Sequence, residues 1–537
     1  TNDEERAVVQ LVESHAVLHR EQVHLRYVKN EIREKCGYAQ AYGVNPAYLD
    51  FNVNFQDDPV TLKSKLAELP KEWYIVQITK PHKISLLSCG PPEIHPLHII
   101  VLPTGSDAIP PFSVTLPKPD NSSYDLCKDI KDYLESNKSD LQALYNNSSA
   151  YWQMRKIQNN RLKTAVNELE HTWLREWRIL FIADPLEPSE IITELIAMVD
   201  KLINDDPSAA SLQPKHRWQL RKVATCSGHL NRNEIARLIT TILPNHKKLA
   251  KNLMLSICTY LPVTQLLRNE KRKTTVLIVD EDLDYLPFEA MIILQDHPVT
   301  RFQSLHVAYA MFKEHEGSIV DGCAEITIDE ASGIGIVNPS NNLPKMERRL
   351  RVFIDYWLPQ WKTIYSVPPE EEEYVDALLN QEILMYNGHG NGIQYLPSER
   401  IEKLRIRAAV LLFGCSSIKL IPIGGRFPPV GISNQYLTAC SPCTLGMMWE
   451  VTDLDTDRMT SCFMSKWVPS AAKKHWKYVD LEKWASGSLV FKDQENTDVD
   501  YEPEMLRAVA MAKKVCTQFT TSAAAIVRGL PVRIKWY

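Results

Sequence analysis

The sequence predicts an α/β chain: a mostly parallel sheet flanked by helices fills its second half, and a mixed, helix-rich unit precedes it. Three observations carry that prediction. After residue 270, short and almost wholly apolar runs alternate with helix-length segments, the pattern of parallel strands buried on both faces. Residues 124–180 and 187–260 instead place apolar side chains at mostly three- to five-residue steps, the helical period. The composition, 44% hydrophobic and 24% charged over 537 residues, can bury a large core. The length suggests about two to four domains.

Taken in order, residues 1–50 open with a charged helical pattern, Val8, Leu11, Val12 and His15 sharing one face. Two strand-like runs follow, Trp73–Thr79 (WYIVQIT) and His98–Leu102 (HIIVL). Prolines crowd 102–119 and predict a loop or linker. The long helices of 124–180 have an aromatic-rich stripe (Trp152, Ile157, Leu162, Val166, Leu169, Trp173, Trp177), and 187–260 is helical with breaks near Pro207, Pro214 and Pro244. That stripe reads as the core of a helical insert, about 120–260. The strand candidates of the second half are Thr275–Asp280, His306–Ala310, Gly333–Asn338, Ile383–Tyr386, Val410–Cys415, Thr444–Trp449 and Val532–Trp536. A boundary near 270, after the basic stretch NEKRK, divides a first domain (1–270) from a second (271–537).

Net charge is −5, from 61 basic and 66 acidic residues, which gives no reason to expect direct nucleic-acid binding. The apolar runs are far shorter than the roughly 20 residues of a membrane-spanning helix. Eleven cysteines without a repeating spacing read mostly as buried free thiols. Cys440 and Cys443 form a lone CxxC without a second pair, and packing explains it better than a zinc or redox site. Cys226 and His229 read as a turn.

Chemistry concentrates at two strand ends. ILMY runs into Asn387-Gly388-His389-Gly390-Asn391-Gly392, and VLLF into Gly414-Cys415-Ser416-Ser417. In open α/β sheets, ligands bind beyond the carboxyl ends of the strands. If the two strands are parallel neighbours, His389 and Cys415, 26 residues apart, emerge at one sheet edge. A thiol nucleophile needs a base or imidazolium beside it, and the main-chain amides of Gly390 and Cys415 could hold a tetrahedral oxyanion. A lone cysteine ending a strand is usually a packed thiol, and a histidine between glycines is often a turn residue. The two together point to a cysteine hydrolase.

The GHG turn, the 26-residue gap, the LFGCSS run and GMMWEVTDLDTDR (446–458) resemble the separase family, as do VDEDLDYLPFEAM (279–291), IVNPSNNL (336–343) and GLPV (529–532). Glu450 stands where that family usually has Asp, and Met447-Met448 replace its Asn-Leu, so the specificity pocket is where this chain departs. The resemblance implies a caspase-like protease domain at 271–537, preceded by a pseudo-protease or substrate-binding domain. It implies Cys415 as nucleophile and His389 as general acid/base, with no metal or cofactor. It also implies cleavage after arginine in a Glu-x-x-Arg context. Arginine recognition requires carboxylates, because a desolvated guanidinium must be paired. Asp457 is the favoured candidate, with Asp453 beside it, Trp449 in the pocket wall and Asp455 also near; acids there could instead simply favour a helix start.

The implied function is cleavage of the kleisin subunit of cohesin at anaphase, in cytoplasm and nucleus and on mitotic chromosomes and spindle. The implied partners are securin, as a pseudosubstrate inhibitor, and a separately encoded helical-repeat subunit, since the family's long N-terminal repeat region is not in this sequence. The chain is then either the C-terminal part of a larger protein or a short, insect-type form. An inactive caspase-like scaffold in a mitotic complex is the alternative, against which the intact Gly-His-Gly and Gly-Cys weigh. A non-proteolytic thiol enzyme is another, against which the pocket aspartates weigh. Glu-x-x-Arg triplets at 234–237, 402–405 and 504–507 fit helical ion pairs as well as self-cleavage.

Overall fold

Strands from both sides of residue 270 join one sheet. The computed structural model describes residues 2–35, 43–51, 59–81, 96–106, 108–119, 125–329, 331–423, 427, 429–492 and 501–536. In chain order its strands are β1 (Trp73–Thr79), β2 (Leu97–Pro103), β3 (Phe112–Leu116), β4 (Thr274–Val279), β5 (Val299–Phe302), β6 (Ile319–Val320), β7 (Cys323–Ile328), β8 (Gly333–Val337), β9 (Lys362–Tyr365), β10 (Ile383–Asn387), β11 (Ala409–Leu412), β12 (Cys443–Met447), β13 (Ala525–Gly529) and β14 (Val532–Trp536). Eleven of them form a sheet ordered β3-β2-β1-β4-β5-β13-β12-β11-β10-β8-β9; β14, β7 and β6 form a small second one. Within the large sheet the antiparallel pairs are β1–β2, β2–β3 and β12–β13, and the rest are parallel.

The apolar runs become strands because helices cover both faces: every residue of β1, β4, β10, β11 and β12 is buried. Several buried polar side chains of the sheet are partnered, although the Asn387 side chain and the Thr444 hydroxyl have no hydrogen-bond partner among the described residues. Gln77, midway along β1, donates to the Leu11 carbonyl at 2.8 Å and ties the helix Asn2–Glu13 to the sheet. Arg301 and Arg528 are register neighbours on β5 and β13, both buried. Asp284 takes both guanidinium donors of Arg528 at 2.8 and 2.7 Å, and Glu289 takes Nε of Arg301 at 2.6 Å. The motif VDEDLDYLPFEAM therefore supplies two carboxylates that neutralise two arginines inside the sheet.

Between β3 and β4 lies the helical insert, with helices Leu126–Gln142, Ser148–Glu168, Glu190–Asn204, Pro214–Thr225, Arg232–Ile242 and Lys247–Thr264, the second and third being linked through the helical turns Leu169–Trp173 and Arg175–Phe181. Side chains cap three of the six starts: Asp125 accepts from the Lys128 amide, Asn147 from that of Ala150, and Asn231 with Glu234 forms a capping box. Pro207 and Pro214 sit at N-terminal helical positions, where no amide is missed.

The structure corrects some expectations. His306–Ala310 lies in a helix, Leu305–His315, started by the Ser304 side chain; its apolar run is buried all round, which periodicity cannot distinguish from a buried strand. The proline-crowded 102–119 contains β3, flanked rather than broken by its prolines. Strands β5, β6, β7, β9 and β13 had no expectation, Trp152 and Ile157 of the expected core stripe are exposed, and strands from either side of residue 270 pair, β1 in parallel with β4. No helix among the described residues is long and apolar enough to cross a membrane.

Candidate active site

Strands β10 and β11 run in parallel with Ile383 opposite Ala409 and Tyr386 opposite Leu412. That register offset is 26 residues, the same as the spacing of His389 and Cys415, so both residues stand three positions past the last paired residues of adjacent strands. Such strands lie about 4.8 Å apart. The spacing noted in the sequence is the lateral register of the sheet.

The turns are built to meet. A Cβ on Gly414 would lie 2.0 Å from the Gly390 carbonyl oxygen and 2.7 Å from that of Gly388, so the turn that carries Cys415 touches the turn that carries His389 backbone to backbone. Gly390 takes φ +63°, and the Tyr386 hydroxyl donates to the His389 carbonyl at 2.8 Å. The His389 side chain is exposed, and its Nε2 meets Asn342 Oδ1 at 3.0 Å. With that oxygen accepting, Nε2 carries the proton and the Nδ1 lone pair is left open. Asn342 is itself held: its amide donates to the buried Asn338 side chain at 3.0 Å, and Asn338 donates to Glu347 at 2.7 Å.

Past Cys415, Ser416 adopts φ +53°, a left-handed conformation costing about 1 kcal/mol or more for a non-glycine residue. Its amide donates to the Trp449 carbonyl at 3.1 Å and its hydroxyl to Glu450 Oε1 at 3.1 Å, contacts that hold the turn. The Ser417 hydroxyl bridges the Leu412 carbonyl and the Met447 amide at 2.8 and 2.9 Å, joining the ends of β11 and β12. Among the described residues, neither the Gly390 amide nor the Cys415 amide donates to another residue's backbone, so both can serve an oxyanion.

The Cys415 thiol is largely enclosed and bonds to the main chain of Val451: it donates to the carbonyl at 3.5 Å and accepts from the amide at 3.4 Å. Burial pushes its pKa up. The Val451 amide pulls the other way, and the Glu450 and Asp453 carboxylates add to the rise. Burial and two nearby acids thus act together on this thiol.

The expected pocket residues fall into distinct roles. Asp453 and Asp457 begin the helix Asp453–Trp467 one turn apart, and Arg349 reaches both. Its Nε meets Asp457 Oδ2 at 2.7 Å and its Nη2 meets Asp453 Oδ2 at 3.0 Å. Asp457 is 1% exposed and closed off by that arginine, whereas the Asp453 side chain is 51% exposed. Asp455 also lines the cleft beside Asp453 but is taken up by the main chain, accepting from the amides of Thr517 and Gln518 at 3.2 and 2.7 Å. Trp449 is buried, its indole donating to the Thr520 carbonyl at 2.9 Å. A cleft of about 640 Å³ opens beside Asp453, lined also by Trp152, Lys345, Arg348, Arg458 and Gln518.

Three contributors were not legible as site residues in the sequence. Asn342 was visible only as part of IVNPSNNL. Arg349 lies within the helix Pro344–Trp357, a stretch with no chemical signature. Glu450 stood out as a departure from pattern, and the structure places it on the loop after β12, against the turn that carries the thiol. Among the other candidates, Cys440 and Cys443 are both buried, with burial raising both thiols, and Cys226 starts a short turn through His229. Of the Glu-x-x-Arg triplets, Glu504 pairs with Arg507 at 2.7 Å, while Arg237 and Arg405 pair with Glu176 and Glu314 instead.

Comparison with known proteins gives a consistent result. A family model described as separin, protease domain, matches residues 125–456. Separin of Mus musculus is 27% identical over 320 residues, covering 59% of this chain and 14% of that protein. Separin of Emericella nidulans is 30% identical over 199 residues, covering 37% and 9%. This chain therefore spans a small part of the length of these relatives. The crystal structure of the Saccharomyces cerevisiae separase–securin complex at 2.6 Å superposes with a TM-score of 0.65 at 19% identity, covering 89% of this chain and 31% of that one.

Proposed function

This chain belongs to the separin protease-domain family, whose model spans more than half of it, and on that premise we propose that it is a cysteine endopeptidase with Cys415 as nucleophile and His389 as general acid/base. The observation that carries the reading is the shared register of the two residues at the ends of β10 and β11. In the proposed reaction, Nδ1 of His389 takes the thiol proton and the thiolate attacks the scissile carbonyl, whose oxygen turns to the Gly390 and Cys415 amides. The imidazolium then protonates the leaving amine, and a water activated by the same imidazole hydrolyses the thioester.

Cleavage follows arginine. Of the two acids that Arg349 reaches, Asp453 is the one that faces the cleft, with Glu450 next to the thiol, while Asp457 acts behind it by fixing Arg349. Two acids that raise the thiol pKa when alone suit a cationic residue before the scissile bond: its guanidinium pairs with them and relieves their effect on the sulfur. The substrate proposed is the kleisin subunit of cohesin, cut within Glu-x-x-Arg at anaphase, on mitotic chromosomes and spindle and in cytoplasm and nucleus. The proposed inhibitor is securin, laid in the groove as a pseudosubstrate; the solved fold neighbours being a separase–securin complex supports it. A helical-repeat regulatory subunit is the further partner proposed.

The test is direct cleavage of a purified kleisin fragment by the chain with its partners, followed by mapping of the new N-terminus. Cleavage after the arginine of a Glu-x-x-Arg site, blocked by added securin, is the expected result. Cleavage after a different residue type would remove the arginine-pocket assignment.

A further inference from the structure

Arg155 is 1% exposed, and its guanidinium meets neutral acceptors in place of a carboxylate. Nε donates to Gln518 Oε1 at 2.7 Å, Nη1 to Asn137 Oδ1 at 2.8 Å and Nη2 to Thr520 Oγ1 at 2.8 Å. Burying a cation without a counter-charge is costly, and an apolar side chain of similar volume would fill the same space more cheaply. The residue's geometry, then, is what the fold retains.

That geometry leads to the loop beside the thiol. Asn137, held by Arg155, donates its amide to the Glu450 carbonyl at 2.9 Å. Gln518, also held by Arg155, donates to the Thr452 hydroxyl at 3.2 Å. Thr520, the third acceptor, carries the carbonyl that receives the Trp449 indole at 2.9 Å. The three arms thus reach residues 449, 450 and 452. Between them stands Val451, whose carbonyl and amide are the hydrogen-bond partners of Cys415 Sγ. One planar fork on the helix Ser148–Glu168 therefore fixes a loop of the catalytic half from both sides of the residue that touches the nucleophile. A planar guanidinium can span divergent acceptors in this way, whereas a lysine ammonium presents a single centre.

We propose that Arg155 is a positioning residue for the nucleophile: through Asn137 and Gln518 it holds Val451 where its amide stabilises the Cys415 thiolate. The inference rests on Cys415 being the nucleophile. It also gives the helical insert a role in the reaction, since the hairpin carrying Asn137 and Arg155 becomes part of the active-site frame.

The experiment measures two quantities in the full chain: the pH midpoint of Cys415 alkylation by iodoacetamide, followed by mass spectrometry of the Cys415 peptide, and kcat on a fluorogenic arginine peptide. The variants are Arg155→Lys, Asn137→Ala and Arg161→Ala. Arg161 pairs with Asp129 at 2.8 Å and joins the same two helices without reaching the loop. A main-chain amide's hydrogen bond to a thiolate is worth on the order of one pKa unit. Arg155→Lys and Asn137→Ala are expected to raise the midpoint by up to that amount and to lower kcat about tenfold, with Arg161→Ala leaving both as in the wild type. Wild-type midpoints in Arg155→Lys and Asn137→Ala would overturn the proposal, as would an equal shift in Arg161→Ala. Should Arg155→Lys fail to fold, Asn137→Ala alone decides. Failure of the underlying reading shows separately, as turnover that survives Cys415→Ser.

Discussion

Oδ1 of Asn342 accepts a hydrogen bond of 3.0 Å from Nε2 of His389, 47 residues further along the chain. This contact fixes the ring and its tautomer, the role a carboxylate or amide plays behind the base in other nucleophilic sites. Asn342→Ala should lower kcat about tenfold, the loss of one hydrogen bond worth about 1 kcal/mol plus the freedom gained by the ring, with KM for arginine peptides little changed. Steady-state kinetics check it. An unchanged kcat would show that the imidazole needs no partner at Nε2.

Glu450 and Asp453 should separate thiol reactivity from substrate turnover. Burial is the largest cause of the raised Cys415 pKa, but both carboxylates add to it. Glu450→Gln and Asp453→Asn should therefore lower the thiol pKa and speed iodoacetamide alkylation of Cys415 near pH 7. The same substitutions should cut kcat/KM for arginine peptides roughly 10- to 100-fold, the worth of a hydrogen bond to a charged group at about 1.5–3 kcal/mol. Opposite movements in the two assays are the expected outcome. A parallel fall in both would mean that the acids maintain the turn instead of receiving arginine.

Asp284 should dominate acid stability. Burial alone would raise its pKa, but Arg528 and Arg301 outweigh it and hold the carboxyl below its ordinary value. A group with a depressed folded pKa stabilises the fold above its unfolded pKa of about 3.9, and that contribution is lost as pH falls through the folded value. Asp284→Asn leaves two buried arginines with one acid, so it should cost about 3–5 kcal/mol at pH 7. Its cost should shrink below about pH 4, where the wild type has begun to lose the same contribution. Denaturant midpoints at the two pH values test this, and a loss under about 1 kcal/mol at pH 7 would mean the arginines find other partners.

How much of this could be read beforehand follows from the range of each interaction. The strand ends at Tyr386 and Phe413 and their Gly-His-Gly and Gly-Cys turns are local, and so was the number 26, although the adjacency that gives it meaning is not. His306–Ala310 was misjudged because a short apolar run fits a strand and a fully buried helix equally. Strand β3 was hidden by the prolines on either side of it. Asp457 was the favoured pocket acid, and nothing local reveals that Arg349, over a hundred residues earlier, pairs with it. Arg155 was equally invisible, since its partners Gln518 and Thr520 lie more than 360 residues away.

The most direct test of the central claim is hydrolysis of a fluorogenic peptide bearing Glu-x-x-Arg before the reporter, by the wild-type chain and by Cys415→Ser and His389→Ala. The expected result is turnover after arginine that either substitution abolishes, with an arginyl electrophile attached to Cys415 in the wild type. Turnover that persists in Cys415→Ser, or an electrophile attached to a different cysteine, would contradict it.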